Sequence, residues 1–433
     1  MSSGSHISGP LPSVPGPFVP GPFVPGPFVR GPFVRGPFVR GLFVRGLAEV
    51  GAADVAHVGG KAASLGELIR AGIPVPAGFV VVADAFSLEP SVLRPVAGVA
   101  VDDLSAIAQA AAQVRARITA LPVPADVAAQ ITAAHQALDA DLVAVRSSAT
   151  MEDSADASFA GLQDTYLAVS GTAAVLDAVR RCWASLYNDQ SVAYRRRLGL
   201  PEDGLGMGVV IQLMVRPRAA GVMFTRSPVT GDRSVVSIEG TWGLGSALVA
   251  GEVTPDGFTV SKVTGEITGR RTGAKVRLHS FRPNEPGISS SAMPDALRAR
   301  PCLTDDEVRA LASVGQRVEE HYGVPQDIEW ALLGGDLVVS HDPVPDRDPV
   351  PGGNPVPGSD PVPGGNPVPG GDPVPGGDPV PGGDPVSVAD AVDRIRLLQS
   401  RPETVWATRE RAPVATPKPR ASDHVLAWLE KRL

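Results

Sequence analysis

The sequence has little of what marks secreted, metal-binding or membrane proteins. Its two cysteines, Cys182 and Cys302, lie far apart without the spacing of a metal site, so we expect reduced cytosolic thiols. It has no apolar run of about 18 residues, so we expect no membrane-spanning helix. The first ten residues lack a basic stretch followed by an apolar one, so we expect no secretory leader. Together these absences predict a cytoplasmic protein.

The sequence also lacks an excess of basic charge. It carries 39 Lys and Arg against 46 Asp and Glu, a formal net charge of -7, and no basic block dominates. We therefore expect no nucleic-acid partner. The length of 433 residues and the hydrophobic content of 43% leave room for two or three domains with a substantial core.

Proline and glycine are concentrated in two repetitive segments. Residues 16–45 are six copies of Gly-Pro-Phe-Val-Pro or Gly-Pro-Phe-Val-Arg, with Leu42 in place of proline in the last. Proline every five residues removes backbone donors, so we predict a disordered arm over 1–46, although its phenylalanines leave a sticky interaction arm open. Repeats of Pro-Val-Pro-Gly-Gly predict a disordered insertion at 342–386. Residues 411–433 read as a proline-rich tail with a short helix.

The remaining sequence alternates between helical and strand patterns, which predicts an α/β or α+β enzyme. A Gly-Gly turn opens a helix at Lys61, the end of the helix where a lysine is unfavourable for the dipole. A ligand anion would explain this placement, and a solvated lysine is the alternative. The other main elements are predicted strands at 79–82, 142–145, 207–215 and 326–332 and a helix at 304–322.

The apolar run at 142–145 delivers Arg146 into a stretch rich in serine, threonine, alanine and glycine. Small residues let backbone N–H groups approach an anion closely, and the arginine fork matches phosphate oxygens. A loop that binds phosphate and a polar surface loop with a solvated arginine are both compatible with this composition.

Period-two alternation in Asp327-Ile-Glu-Trp330 places the two acids on one face of a strand and the two apolar residues on the other. Gln399 and Arg401 share a face in the same way. A carboxylate and an amide oxygen are hard ligands suited to magnesium. A plain surface carboxylate is the alternative for Glu329.

Together these segments resemble the N-terminal ATP-binding domain shared by phosphoenolpyruvate synthase, pyruvate phosphate dikinase and rifampicin phosphotransferase. The resemblance runs from about Leu47 to Trp406, without the repeat insertion. Six motifs in order carry it: Val58-Gly-Gly-Lys-Ala-Ala-Ser-Leu-Gly66; Val145-Arg-Ser-Ser-Ala149 with Ser158-Phe-Ala-Gly161 and Gln163-Asp-Thr165; Gln212-Leu-Met-Val215; Gly221-Val-Met-Phe-Thr225; Asp327-Ile-Glu-Trp330; and Leu398-Gln-Ser-Arg-Pro402.

The resemblance implies an ATP-grasp fold, in which two halves clasp a nucleotide. The first half would span 47–215, and the second would span 216–341 and 387–410. The strands carrying Glu329 and Gln399 are close in sequence in the family but lie 70 positions apart here. Loop closure depends only logarithmically on length, so the longer connection costs on the order of 1–2 kcal/mol and the strands are still expected to pair.

The resemblance also implies roles for individual residues. Lys61, Arg146 and Arg401 would be catalytic and would contact the ATP phosphates. Gly161 and Thr165 would lie in the loop that covers these phosphates.

Three further residues complete the implied site. Gln212 would face the adenine side, and Glu329 and Gln399 would contribute to the magnesium site. Two positions depart from the family, because Ser246 stands where glutamate is more common and Ser227 where asparagine is common.

ATP and Mg2+ are the implied cofactors, and the implied reaction transfers the β-phosphoryl group of ATP to a mobile histidine. None of the seven histidines lies in the Thr-Ser-His-like context of the family, so the resemblance implies a separate partner that bears the histidine. The alternatives are a fragment of a rifampicin- or pyruvate-directed phosphotransferase, a non-catalytic nucleotide-binding scaffold, and expanded repeats in a gene no longer under selection.

Overall fold

The computed structural model describes residues 41–150, 164–200, 205–282, 285–334, 387–404 and 406, together with the backbone of 153–154 and 157–158. The repeat arm up to residue 40, Gly161, the repeat insertion and the proline-rich tail lie outside the described residues. Within these ranges, no helix combines the length and the apolar character needed to cross a bilayer. Both cysteines are buried free thiols.

The first part of the described chain forms an antiparallel sheet. Its strands are β1 (Val44–Gly46), β2 (Gly78–Val81), β3 (Val143–Ala149), β4 (Asp153–Ser154), β5 (Ala157–Ser158), β6 (Thr165–Val169) and β7 (Met207–Leu213). Strands β4 and β5 pair only with each other. The other five form the first sheet, in the order β1-β2-β7-β3-β6.

The first part of the described chain also contains five helices. They are α1 (Val55–Arg70), α2 (Leu104–Ala120), α3 (Ala125–Leu138), α4 (Thr172–Ser185) and α5 (Asp189–Arg197). Alternation along β7 divides the core, because Val209 and Ile211 pack with the helices α2 to α4 whereas Val210 packs with α1. The predicted core residues Trp183, Leu186 and Tyr187 are all buried.

The end of the repeat arm belongs to the first sheet, which corrects the prediction of disorder through residue 46. Val44 pairs with Val81, and the carbonyl of Phe43 accepts a 2.9 Å hydrogen bond from the Val82 N–H. Leu42 replaces proline in this last repeat, so the backbone N–H that the other copies lack is present here.

The second part of the described chain forms another antiparallel sheet. Its strands are β8 (Pro217–Phe224), β9 (Val235–Trp242), β10 (Asp256–Ser261), β11 (Ile267–Arg271), β12 (Arg277–Phe281), β13 (Ile288–Ala292), β14 (Gln326–Leu333) and β15 (Ile395–Pro402). Six of them form the second sheet, in the order β11-β10-β9-β8-β14-β15, and β12 and β13 form a separate hairpin. All recorded pairings of the described strands are antiparallel, so the fold is of the α+β class.

The helices of this part are α6 (Ser246–Val249), α7 (Asp295–Arg298), α8 (Asp305–Tyr322) and α9 (Val388–Arg394). Helix α8 confirms the predicted helix at 304–322. Thr304 and Glu307 form a reciprocal capping box at its start, and Gly323 ends it in the left-handed conformation with a φ of 69°. Its apolar face packs in one core with the buried Ile328 and Trp330 of β14.

Helix α1 connects the two sheets. Its apolar side chains belong to a core that also contains residues of the second sheet. The Ser64 hydroxyl donates a 2.7 Å hydrogen bond to the carbonyl of Ser400 in β15, and the Leu397 N–H donates a 2.8 Å bond to the carbonyl of Pro74. These contacts fix β15 beside the first sheet.

Strands β14 and β15 pair as predicted, although they are distant in sequence. Gln326 lies opposite Pro402, and Glu329 lies opposite Gln399. The two strands therefore pair despite the insertion between them.

Candidate active site

A cavity of about 350 Å³ lies between the two sheets. The first sheet contributes residues of β3, β6 and β7, and the second contributes residues of β8, β14 and β15 and of helix α6. The lining is mostly apolar, and its polar side chains are those of Arg146, Thr165, Gln212, Ser246 and Glu329. An apolar cleft with a few polar groups that converge is the usual form of a small-molecule site.

Arg146 crosses the cavity from the first sheet to the second. One guanidinium nitrogen, Nη1, donates to the carbonyl of Leu398 at 2.5 Å. The other, Nη2, donates to Glu329 Oε2 at 2.8 Å and to Gln399 Oε1 at 3.0 Å. Its Nε is buried and has no partner among the described residues. The surface-loop alternative is wrong, since Arg146 is only 8% exposed.

A bulge in the second sheet makes the carbonyl of Leu398 available to Arg146. Glu329 pairs with Gln399 and Trp330 pairs with Leu397, so Leu398 is the extra residue on β15. A bulged residue is left out of the ladder and its strand bends locally. No local pattern in the sequence indicates this bulge, which determines where the guanidinium of Arg146 binds.

Arg146 lies inside a strand and not at the start of a loop, which corrects the prediction. Strand β3 continues to Ala149 and all seven of its residues are buried, because it pairs with β7 on one side and β6 on the other. The Ser147 hydroxyl donates to the carbonyl of Asp164 at 3.0 Å. The Ser148 hydroxyl donates to the carbonyl of Val58 at 2.8 Å. Both serine hydroxyls therefore make hydrogen bonds that stabilise the fold.

Lys61 reaches the same strand from helix α1. Its ammonium donates to the carbonyl of Ser147 at 2.7 Å, one residue after Arg146, and it is 8% exposed, so the solvated-lysine alternative is wrong. Gly59 permits this approach with a φ of 78°. A Cβ at Gly59 would lie 2.0 Å from the carbonyl oxygen of Ser148. Lys61 does not line the cavity itself.

Thr165 and Gln212 line the cavity on either side of β3. Thr165 begins β6 directly opposite Arg146, so it lies in a strand and not in a loop as predicted. Gln212 pairs with Ala144 and is 2% exposed, and its Nε2 donates to the carbonyl of Pro76 at 3.1 Å. Gly161, the other residue predicted to cover the phosphates, lies outside the described residues.

Glu329 and Gln399 bring two oxygens to one point, because Arg146 Nη2 contacts both. Carboxylate and amide oxygens suit Mg2+, which keeps several waters and takes the rest of its ligands from phosphates. No cluster of three or more acidic, histidine or cysteine residues that could hold a metal occurs in the described ranges. This pair would therefore hold a cation together with a ligand that brings its own oxygens.

Arg401 lies at the edge of this group and outside the cavity lining. It pairs with Asp327 in the register, with Arg401 Nε 3.5 Å from Asp327 Oδ2. Burial raises the pKa of the Asp327 carboxyl to about 6, Glu403 adds to the rise, and Arg401 opposes it. The period-two alternation had placed Asp327 beside Glu329 but gave no sign of this raised pKa.

A second polar group on the cavity wall involves a residue that the sequence identified only as a departure. Ser246 lines the cavity, and its hydroxyl lies 2.8 Å from Nδ1 of His279 in β12. The sequence does not indicate this contact, because 33 positions separate the two residues and β12 shows no recognisable strand pattern. The other departure, Ser227, lies in a turn where its hydroxyl accepts from the Thr230 N–H at 3.1 Å.

Comparison with known proteins identifies the domain. Residues 55–339 match the family model described as the pyruvate phosphate dikinase AMP/ATP-binding domain. The match ends before β15, so Gln399 and Arg401 lie beyond it.

Three curated relatives show how much of a larger protein the chain resembles. A probable phosphoenolpyruvate synthase of Methanothermobacter thermautotrophicus is 42% identical over 66% of this chain and 43% of its own length. A rifampicin phosphotransferase of a Streptomyces species is 45% identical over 64% of this chain and 33% of its own. The phosphoenolpyruvate synthase of Pyrococcus furiosus is 36% identical over 64% and 40%. The matched region covers less than half of each relative.

The family match covers more than half of the chain, including all the residues that line the cavity except Leu398. The two antiparallel sheets on either side of one cavity are the predicted ATP-grasp architecture. The chain belongs to the pyruvate phosphate dikinase AMP/ATP-binding domain family, a family of ATP-dependent phosphotransferases.

Proposed function

We propose that the chain binds Mg-ATP in the cavity between its sheets and passes the β-phosphoryl group to a histidine of a separate protein. The histidine nitrogen would attack the β-phosphorus and break the bond to the α-phosphate oxygen, which releases AMP. Water would then remove the γ-phosphoryl group as phosphate. ATP, water and histidine thus give phosphohistidine, AMP and phosphate.

One observation carries this proposal: the buried guanidinium of Arg146 has an unpartnered Nε in a cavity formed by both sheets. A buried guanidinium with an unused N–H donor in a cavity is well placed to bind the oxygens of a phosphate chain. The ammonium of Lys61, from helix α1, adds positive charge at Ser147, one residue after Arg146 on β3. When bound, Mg2+ would neutralise the charge that develops on the phosphate oxygens, held by Glu329 and Gln399.

The donor groups of the chain would act by position. Arg146 and Lys61 would hold the phosphates in line with the incoming nitrogen, and the apolar walls would keep out bulk water. Arg401 would reach the phosphates from the rim, because its side chain is 41% exposed and its Nε lies 3.5 Å from Asp327 Oδ2. Gln212 would lie toward the base.

The positions of the histidines in this chain support transfer to a histidine of another protein. The four histidines in the described ranges are at 57, 135, 279 and 321, and none of them lines the cavity. The relatives are more than twice as long as the matched region, and a swivelling histidine domain would belong to the part that this region does not cover.

The test is to incubate the chain with ATP labelled at the β-phosphate, magnesium and candidate histidine proteins. We expect AMP to form and acid-labile label to appear on the partner. Arg146→Ala should abolish both, and Arg270→Ala, which removes an exposed arginine paired with Asp305, should leave both intact. If pyruvate or rifampicin is phosphorylated in the same mixture, the chain is part of such an enzyme. ATP binding without AMP formation with any partner would favour the scaffold and contradict the proposal.

A further inference from the structure

Three side chains in contact, those of Glu252, His279 and Ser246, lead to the cavity wall. Ser246 lines the cavity, and its Oγ lies 2.8 Å from His279 Nδ1. The other ring nitrogen of His279, Nε2, lies 3.3 Å from Glu252 Oε2, which Arg277 also approaches at 3.9 Å. His279 is 8% exposed. This arrangement fixes the direction of a serine hydroxyl next to the space for a ligand.

Ser246 lines the cavity beside β8. The preceding residue, Gly245, rests on β8, where a Cβ would come within 3.7 Å of the Gly221 nitrogen. Strand β8 starts at Pro217, close in sequence to the wall that follows Gln212, and Gly221 comes one residue before the partner of Glu329. In a nucleotide with its base near Gln212 and its phosphates near Glu329, the sugar would occupy the middle.

The contacts of His279 also determine whether the Ser246 hydroxyl donates or accepts a hydrogen bond in the cavity. A carboxylate only accepts hydrogen bonds, so the 3.3 Å contact with Glu252 Oε2 favours the tautomer of the neutral imidazole that carries its hydrogen on Nε2. In the neutral imidazole, Nδ1 is then an acceptor and takes the single hydrogen of Ser246. The Ser246 oxygen therefore offers only lone pairs to the cavity. Phosphate oxygens are acceptors and gain nothing there, whereas a sugar hydroxyl is a donor.

We propose that Ser246, oriented by His279 and Glu252, accepts a hydrogen bond from a ribose hydroxyl and makes the site selective for ribonucleotides over deoxyribonucleotides. Ser246 is the specificity residue, and His279 and Glu252 are positioning residues. This inference rests on the proposed binding of ATP. It adds that a residue beside the second sheet contacts the ribose of the nucleotide.

The test is calorimetric binding of ATP, 2′-deoxy-ATP and 3′-deoxy-ATP to the full chain. We expect wild type to bind ATP about tenfold more tightly than one of the two deoxy analogues, as one hydrogen bond warrants. Ser246→Ala should bind ATP as weakly as wild type binds that analogue. Its affinity for the analogue should equal that of wild type. The matched control is Ser280→Ala on the same strand as His279, whose hydroxyl bonds to Ser289 Oγ at 3.2 Å and which should keep the wild-type preference.

The positioning role has its own readout. Glu252→Ala should reduce the preference for the ribonucleotide, and Glu252→Gln should retain it, because the amide oxygen still accepts from Nε2–H. Equal binding of all three nucleotides by wild type would overturn the inference and leave ATP binding intact. An equal loss for all three in Ser246→Ala would show a structural serine and also overturn it. No nucleotide binding by a folded wild-type chain would instead overturn the proposed function.

Discussion

The two walls of the cavity differ in the chemistry they present. The first sheet brings the guanidinium of Arg146, and the ammonium of Lys61 lies against the next residue of β3, outside the cavity lining. The second sheet brings oxygens, from Glu329 and Ser246 in the lining and from Gln399 beside Glu329. A phosphate chain needs hydrogen-bond donors and a magnesium ion needs oxygen ligands. The phosphates of a Mg-nucleotide would therefore contact the first wall, and its magnesium ion would contact the second.

The two walls also contact each other directly. Arg146 Nη2 donates to Glu329 Oε2 at 2.8 Å and to Gln399 Oε1 at 3.0 Å. These are the same two oxygens that we propose for the cation of Mg-ATP. The predictions below change one wall at a time and run from the largest expected effect to the smallest.

Gly59→Ala should damage the donor wall most. Its φ of 78° and a Cβ only 2.0 Å from the Ser148 carbonyl combine backbone strain with a clash, so we expect a loss of about 3 kcal/mol in the free energy of unfolding. Gly72→Ala is the matched control, because Gly72 has a φ of 68° but no atom within 4 Å of a Cβ. It should lose only about 1 kcal/mol in denaturant unfolding. Equal losses would show that the approach of Gly59 to β3 is not tight.

Glu329→Gln should weaken the oxygen wall without disturbing the fold, because the amide oxygen still accepts from Arg146. We expect the affinity for ATP with magnesium to fall about tenfold, since a charged ligand to the ion is lost. Affinity for ATP with a chelator should be unchanged or rise, because a carboxylate no longer repels the phosphates. Calorimetry under both conditions measures the difference. A parallel fall in both would contradict a role toward the metal.

Asp327→Asn should have the smallest effect, and it should depend on pH. The folded-state pKa of about 6 lies above the ordinary value of 3.8, so the folded protein holds a proton that the unfolded chain releases. Wild-type stability therefore falls as the pH rises from about 4 to 6. Asparagine removes this loss, so the variant should gain about 1–2 kcal/mol over wild type at pH 8 and little near pH 4. Urea unfolding at both pH values checks this, and an equal difference at both would contradict it.

Local pattern predicted those parts of the site that a single element determines. Alternation in β14 separates the half-buried Asp327 and Glu329 from the buried Ile328 and Trp330. The pairing of β14 with β15 followed from the slow growth of the loop-closure cost with length. The predicted helix at 304–322 has both of its capping signals in the sequence.

Features that depend on two distant segments could not be predicted. The bulge at Leu398 arises from the register between β14 and β15, and it determines where Arg146 binds. The approach of Ser246 to His279 depends on the hairpin of β12 and β13, which has no clear alternation. Strand β3 continued past the apolar run because two neighbouring strands and helix α1 satisfy its serines.

The most direct test of complementary walls is a calorimetric titration of Mg-ATP into wild type, Arg146→Ala and Arg270→Ala, each shown to be folded by its melting transition. Arg146 contacts both walls, so its loss should weaken Mg-ATP binding by at least about a hundredfold, whereas Arg270→Ala should bind like wild type. Unchanged Mg-ATP affinity in Arg146→Ala would contradict the account.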